Sequence, residues 1–258
     1  MVRVRREPAR RACELRLVDV TDEGAMRHVA RDVRADMGPA SVVVANAGIA
    51  EGGPFEMTDP SLWRRVIEVN LIGGAVTARS FIGQLRATRG YYLQIASMAS
   101  LGAAPMMSAY CASKAGVESF AHALRAEYAH QGVGVGIAYL GWIDTDMVRD
   151  VDDRPVLREL RAHMSRPARR VHPVPEVAAR MVRTVERRNP AVYVPSWLRA
   201  GQPVRAALPL IVTFLSRRGL PRLARRTGLG PTGPLGPGGR ADGEEGAAGT
   251  AGGQNPTR

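Results

Sequence analysis

Tyr110 and Lys114 stand four residues apart, and Ser97 precedes the tyrosine by thirteen. On a helix, residues four apart share a face one turn apart. A free phenol has a pKa of about 10 and exchanges protons poorly at neutral pH. A neighbouring ammonium favours the phenolate and is expected to lower that pKa. A serine hydroxyl can hydrogen-bond a carbonyl oxygen and hold it against the phenol. The three groups together could move the proton that accompanies hydride transfer. Lys114 is the only lysine in the chain; every other residue counted as Lys or Arg is arginine. A lysine kept among arginines points to a position that needs a compact ammonium rather than a planar fork. The bland alternative is a chance lysine on a solvated helix face, because Tyr-x-x-x-Lys alone is common.

These side chains need a strand, a turn and a helix to bring them together. Tyr91 to Ala96 is a short apolar run suited to a buried strand. Small residues ending in Gly102-Ala-Ala-Pro105 break it, and a helical pattern restarts at about Ser108. Ser97 then leaves the carboxyl end of a strand, where open α/β sheets bind ligands.

With 258 residues, 45% of them hydrophobic, the chain can build one large α/β domain. Cys13 and Cys111 give no disulfide framework, and no zinc-ligand spacing occurs. The basic N-terminus, MVRVRREPARR, has no apolar segment behind it, and no run of about 18 apolar residues exists. A cytoplasmic protein, with membrane association through one segment only, is expected. The net charge of +12 invites a nucleic-acid partner. The arginines are spread along the chain with no interleaved aromatic platform, so no nucleic acid is expected.

Strands are expected at 13–18, 41–45, 91–96, 132–140 and 191–195. Helices are expected from Thr21-Asp22-Glu23 to about Met37, from Thr58-Asp59-Pro60 towards Leu85, from Ser108 past Tyr128, and from Pro175 to about Arg188. Residues 146–172 read as a helical flap. The alternation implies α/β architecture, a doubly wound parallel sheet of Rossmann-like kind, over residues 1–195. Residues 196–225 form an amphipathic extension whose apolar part, 206–215, could lie on a bilayer, cover a substrate pocket or pack on its own domain or a partner subunit. Residues 226–258 read as a disordered Gly/Pro-rich tail. Within it, Gly228-Leu-Gly230-Pro-Thr-Gly233 matches a dinucleotide-binding glycine pattern by letter only, since no strand precedes it and prolines follow.

From Cys13 to Pro195 the chain resembles the classical short-chain dehydrogenase/reductase family. Asp19-Val20 resembles the pair that meets the adenine. Asn46-Ala47-Gly48 resembles the family's Asn-Ala-Gly turn. Asn70 resembles the asparagine supporting a proton-relay water. Ser97, Tyr110 and Lys114 resemble the catalytic serine, tyrosine and lysine, with Lys114 also holding the nicotinamide ribose. Gly141 to Thr145 resembles the segment whose threonine meets the carboxamide, with Leu140 where the family has proline; Gly141, Ile143 and Thr145 are carried over. The resemblance implies NAD or NADP, a small-molecule alcohol or ketone substrate, and a homodimer or homotetramer formed through the helices at about 60–87 and 108–130; the flap at 146–172 and the apolar C-terminal segment suggest that the substrate is lipophilic.

The departure is at the front. The family's Thr-Gly-x-x-x-Gly-x-Gly turn, which sets backbone N–H groups on a pyrophosphate, has no counterpart before Asp19. An N-terminally truncated sheet is expected, with an unpaired edge at 41–45. Either the start was placed too late, or the product is short and binds cofactor poorly. The leading reading is an oxidoreductase with Tyr110 as acid–base; the alternative is a non-catalytic, dehydrogenase-like interaction protein.

Overall fold

A computed structural model describes residues 14–236 and 238–239. Asp22 caps helix α1 (Glu23–Met37), its Oδ1 accepting from the Ala25 N–H at 2.9 Å. Met26, Val29, Ala30 and Val33 recur at helical spacing and are buried. The chain then makes strand β1 (Val42–Ala45) and the two-residue β2 (Ala50–Glu51). Asp59 caps helix α2 (Pro60–Ile67), which runs through a π-helical turn, Glu68–Ile72, into α3 (Gly73–Thr88). Strand β3 (Tyr91–Ile95) precedes α4 (Ser108–Tyr128) and β4 (Gly134–Leu140). The flap holds β5 (Trp142–Ile143), α5 (Asp146–Asp153), α6 (Pro155–Ala162) and β6 (Val171–His172). Helix α7 (Val174–Glu186), strand β7 (Ala191–Val194), the short α8 (Leu198–Gly201), α9 (Leu208–Thr227) and β8 (Pro234–Leu235) complete the described chain.

The main sheet is parallel, in the order β1-β3-β4-β7. Val43, Ala45, Tyr92, Ile137 and Tyr139 face one side with α1, α3 and α4, forming the larger core. Tyr91, Leu93, Ile95, Ala138 and Leu140 face the other, under Val177, Met181 and Val185 of α7. Strand β3 lies between two neighbours and is buried at all five residues, as a central parallel strand should be. The parallel, helix-flanked sheet is the Rossmann-like architecture that the alternation implies.

Strand β1 is the sheet's edge among the described residues, as expected. Val42 and Val44 point to the face that α7 covers elsewhere, and here they are exposed. The strand expected at 13–18 does not form over its described part, 14–18. That segment is irregular, Leu15 and Leu17 are exposed, and Arg16 is tied to Asp32 and Asp36 of α1. A strand needs a neighbour for its N–H and C=O groups, and among the described residues no strand lies beside this segment. Cys13 lies outside the described residues.

The helix expected from 60 to 85 is not one continuous α-helix, because the π turn adds a residue at Asn70. By length and composition, Pro60–Thr88 is apolar enough to cross a membrane, but half of its most apolar window is buried in the fold. The expectation of a structureless tail from Arg226 is corrected for 226–236. Helix α9 continues to Thr227, and β8 pairs antiparallel with β2, Ala50 opposite Leu235 and Glu51 opposite Pro234. Of the rest of the tail, 237 and 240–258 lie outside the described residues.

Candidate active site

Three turns leave the same, carboxyl, edge of the sheet: Asn46-Ala47-Gly48 after β1, Ser97 after β3, and Gly141 to Thr145 after β4. Helix α4 brings Tyr110 and Lys114 to that edge. Lys114 Nζ lies 5.7 Å from the centre of the Tyr110 ring and donates to the Ile95 carbonyl at 3.2 Å. The lysine is buried, and burial pushes its pKa down to about 8. Ser97 sits close enough to Tyr110 for its hydroxyl to pull the phenol's pKa down. Ser97 Oγ also accepts from the Ala99 N–H at 3.1 Å, and Ser100 Oγ donates to the Lys114 carbonyl at 2.8 Å. These bonds fix the loop that carries the serine over the helix that carries the tyrosine.

The expected lowering of the Tyr110 pKa is not what this arrangement produces. Burial pushes the phenol above its ordinary value, outweighing Ser97, and the nearby Cys111 and Glu51 push the same way. Tyr110 is therefore a neutral phenol at neutral pH, able to donate a proton.

Asn70 lies at the bulge of the π turn and is buried. Its Oδ1 accepts from the Ile49 N–H at 2.8 Å; its Nδ2 donates to the Ile49 carbonyl and to Ser113 Oγ, each at 2.9 Å. Ser113 Oγ donates to the Tyr110 carbonyl at 2.8 Å. Asn70 thus ties the segment after the Asn-Ala-Gly turn to the Tyr110 helix. A Cβ on Gly48 would lie 3.2 Å from Asn70 Oδ1 and 3.5 Å from Lys114 Nζ, so glycine keeps that approach open.

Val20, Asn46 and Ala47 converge with Gly73 and Gly74 on a small cleft of about 20 Å³ beside β1. Gly73 is required there, since a Cβ would meet Val20 Cγ2 at 2.5 Å. Asp19 stands next to this cleft in sequence. Burial would raise its pKa, but hydrogen bonds from Thr21 and from Arg65 at 2.9 Å outweigh it, and the carboxylate is held below its ordinary range. The Gly141 N–H donates to Val194 at 2.7 Å, and Ile143 pairs with His172. Thr145 is exposed at the start of α5, its hydroxyl donating only to the Ile143 carbonyl at 3.3 Å.

Two participants escape a reading of the sequence. Glu51 is buried: Oε1 accepts from the Ala109 N–H at 3.0 Å, and Oε2 has no hydrogen-bond partner among the described residues. Burial raises its pKa to about 7. Leu235 is the second. It is buried in an apolar cluster with Ala50, Val151 and Leu157, against which Tyr110, Met107, Trp142, Met147 and Leu160 pack. The Thr232 N–H donates to the Gly52 carbonyl at 2.7 Å, and the Gly236 N–H to Asp150 Oδ2 at 2.8 Å. Residues 228–236 thus form a strap along Ala50–Gly52 and α5, with Leu235 in the cluster that Tyr110 packs against.

The residues fit the ribose end of a nicotinamide dinucleotide: a buried ammonium with donors left over, beside a glycine turn that admits close approach. Among the described residues no Thr-Gly-x-x-x-Gly-x-Gly turn is present to take a pyrophosphate.

A sequence model of the short chain dehydrogenase family matches residues 4–155. The chain is 35% identical over 146 residues to "Inactive 2-(S)-hydroxypropyl-CoM dehydrogenase 2" of Xanthobacter autotrophicus, covering 56% of this chain and 64% of that protein. It is 33% identical over 150 residues to cis-4-hydroxycyclohexanecarboxylate dehydrogenase of Sinomonas cyclohexanicum, covering 57% and 60%. The match to "Probable oxidoreductase EphD" of Mycobacterium tuberculosis covers 23% of that protein, so the chain spans only part of these relatives' length. A gluconate 5-dehydrogenase from Burkholderia cenocepacia, solved with NADP and tartrate, shares the fold at a TM-score of 0.63 and 23% identity, over 71% of this chain and 74% of that one. With the family's sequence match spanning more than half of the residues, and its fold beneath them, this chain belongs to the short-chain dehydrogenase family.

Proposed function

We propose that the protein is an oxidoreductase that interconverts an alcohol and a carbonyl using NAD or NADP, with Tyr110 as the acid–base. The observation that carries this reading is the meeting of Ser97, Tyr110 and the one lysine, buried, at the carboxyl end of β3. When bound, the nicotinamide supplies or accepts the hydride. Ser97 orients the substrate oxygen towards the phenol. Tyr110, held neutral by burial, gives a proton to that oxygen in the reductive direction. Lys114 holds the ribose hydroxyls with the N–H groups not used on Ile95, and Asn70 keeps the Gly48 turn in register with the Tyr110 helix. Met107, Trp142, Met147 and Leu160 pack against the same apolar cluster as Tyr110, a setting that suits a lipophilic alcohol or ketone. The helices at 60–87 and 108–130 would carry a dimer or tetramer contact.

A second reading has its own support. The strap packs Leu235 into the apolar cluster that holds Tyr110, and the described residues offer no pyrophosphate turn. Both suit a dehydrogenase-like protein that binds partners without turnover. Titrating the purified chain with NADH and with NADPH, followed by nicotinamide fluorescence, separates the two. Saturable binding in the micromolar range, equivalent to about 8 kcal/mol, is expected for the enzyme. No binding of either dinucleotide would favour the second reading.

A further inference from the structure

We propose that helix α9 docks the protein onto an anionic lipid bilayer. Its root is clamped to the domain. Arg205 donates to both oxygens of the buried Glu118, at 2.6 and 3.0 Å, and to the Ser100 carbonyl at 3.0 Å. Further along, Leu223 is buried and Arg226 pairs with Glu159 of α6 at 3.0 Å. Between these anchors the outer side is apolar and open: Leu210 is 74% exposed, Ile211 50%, Phe214 55% and Leu215 61%.

Leu210, Phe214, Arg218, Arg222 and Arg225 follow one another at four- and three-residue spacing. They therefore share one side of the helix, apolar at its start and basic beyond. The Arg218 guanidinium lies 4.4 Å from the centre of the Phe214 ring, joining the two zones. No Asp or Glu occurs between Glu186 and Asp242, while residues 197–226 carry seven arginines. Arg205 and Arg226 are spent on Glu118 and Glu159, but Arg217, Arg218, Arg222 and Arg225 border the apolar strip, which matches the boundary between acyl chains and anionic headgroups. Four adjoining exposed apolar side chains are also more than the scattered ones of an ordinary surface.

The charge distribution argues against the other occupant, a second copy of the chain. A two-fold contact centred on the basic half of this face would bring Arg218, Arg222 and Arg225 of the two copies together. Helix α9 packs on α6 of the flap, so a bilayer under α9 would lie beside the site that Tyr110 occupies. This placement does not depend on the proposed chemistry and can be tested without turnover.

The purified full chain should be sedimented with phosphatidylcholine vesicles and with mixed phosphatidylcholine–phosphatidylglycerol vesicles. Binding to the mixed vesicles is expected to be at least about tenfold tighter and to weaken as salt is raised. The pair Leu210→Asp and Phe214→Asp lies at exposed positions and should abolish it; Arg218→Gln with Arg222→Gln should remove the preference for the anionic lipid. Absence of binding to the mixed vesicles would overturn the proposal, as would unchanged binding by the Asp pair. So would a dimer that the Asp pair splits in sedimentation-velocity runs without any vesicle binding, which would assign the face to a second copy.

Discussion

Glu51 and Lys114 each carry a charge that burial disfavours, and both lie beside Tyr110. Glu51 has its pKa raised to about 7 from an ordinary 4.5. Between those two pH values the folded protein holds a proton that the unfolded chain releases. The stability that Glu51 allows is thus fully present below about pH 4.5 and declines as pH rises through about 7. Glu51→Gln keeps the shape and an acceptor for the Ala109 N–H but cannot ionise. It is expected to raise stability by about 2–3 kcal/mol at pH 8 and to leave it nearly unchanged at pH 4.5, measured by urea unfolding at both. Equal effects at the two pH values would contradict the buried, neutral carboxyl. The spacing of Ser97, Tyr110 and Lys114 was legible because a helix turns i and i+4 to one side. The role of Glu51 was not, because its burial depends on Pro234 and Leu235, more than 180 residues later.

At the level of elements, the strap and the π turn set access and alignment. Leu235 is buried in the cluster that Tyr110 packs against, so under the proposed chemistry a bulky ketone would have to displace it to reach the phenol. A strap closed in about nine molecules of ten lowers apparent substrate affinity about tenfold. A chain ended at Thr227 is therefore expected to show a KM for bulky ketones about tenfold lower, with less change for small ones. An unchanged KM across ketone sizes would show that the strap does not obstruct the site. Most helices could be located from their caps and periodicity: Asp22 and Asp59 both cap where expected. The π turn could not, because Glu68 to Ile72 continues an apolar helical pattern, and only the Asn70–Ile49 bonds reveal the extra residue. Nor could β8, since prolines and glycines around it mask a two-residue pairing that only β2 makes possible.

Across the whole molecule, a parallel sheet brings three turns to one edge, and the proposed chemistry rests on that edge. The positions of the strands could be anticipated from β-branched runs such as 41–45, and the unpaired edge there from the missing front segment; their order could not. The segment 14–18 shows the limit of such reasoning. Its alternation suits a strand, yet without a neighbour it stays irregular and is held by Arg16 to α1 instead. What unites the residues, the turns and the sheet is the phenol of Tyr110, and one substitution isolates it. Tyr110→Phe removes a single oxygen while keeping the ring that packs against Met107 and Trp142. Steady-state ketone reduction by this variant, beside the unaltered chain, is expected to lose about 10²–10⁴-fold in kcat with dinucleotide binding retained. Turnover equal to that of the unaltered chain would contradict the account.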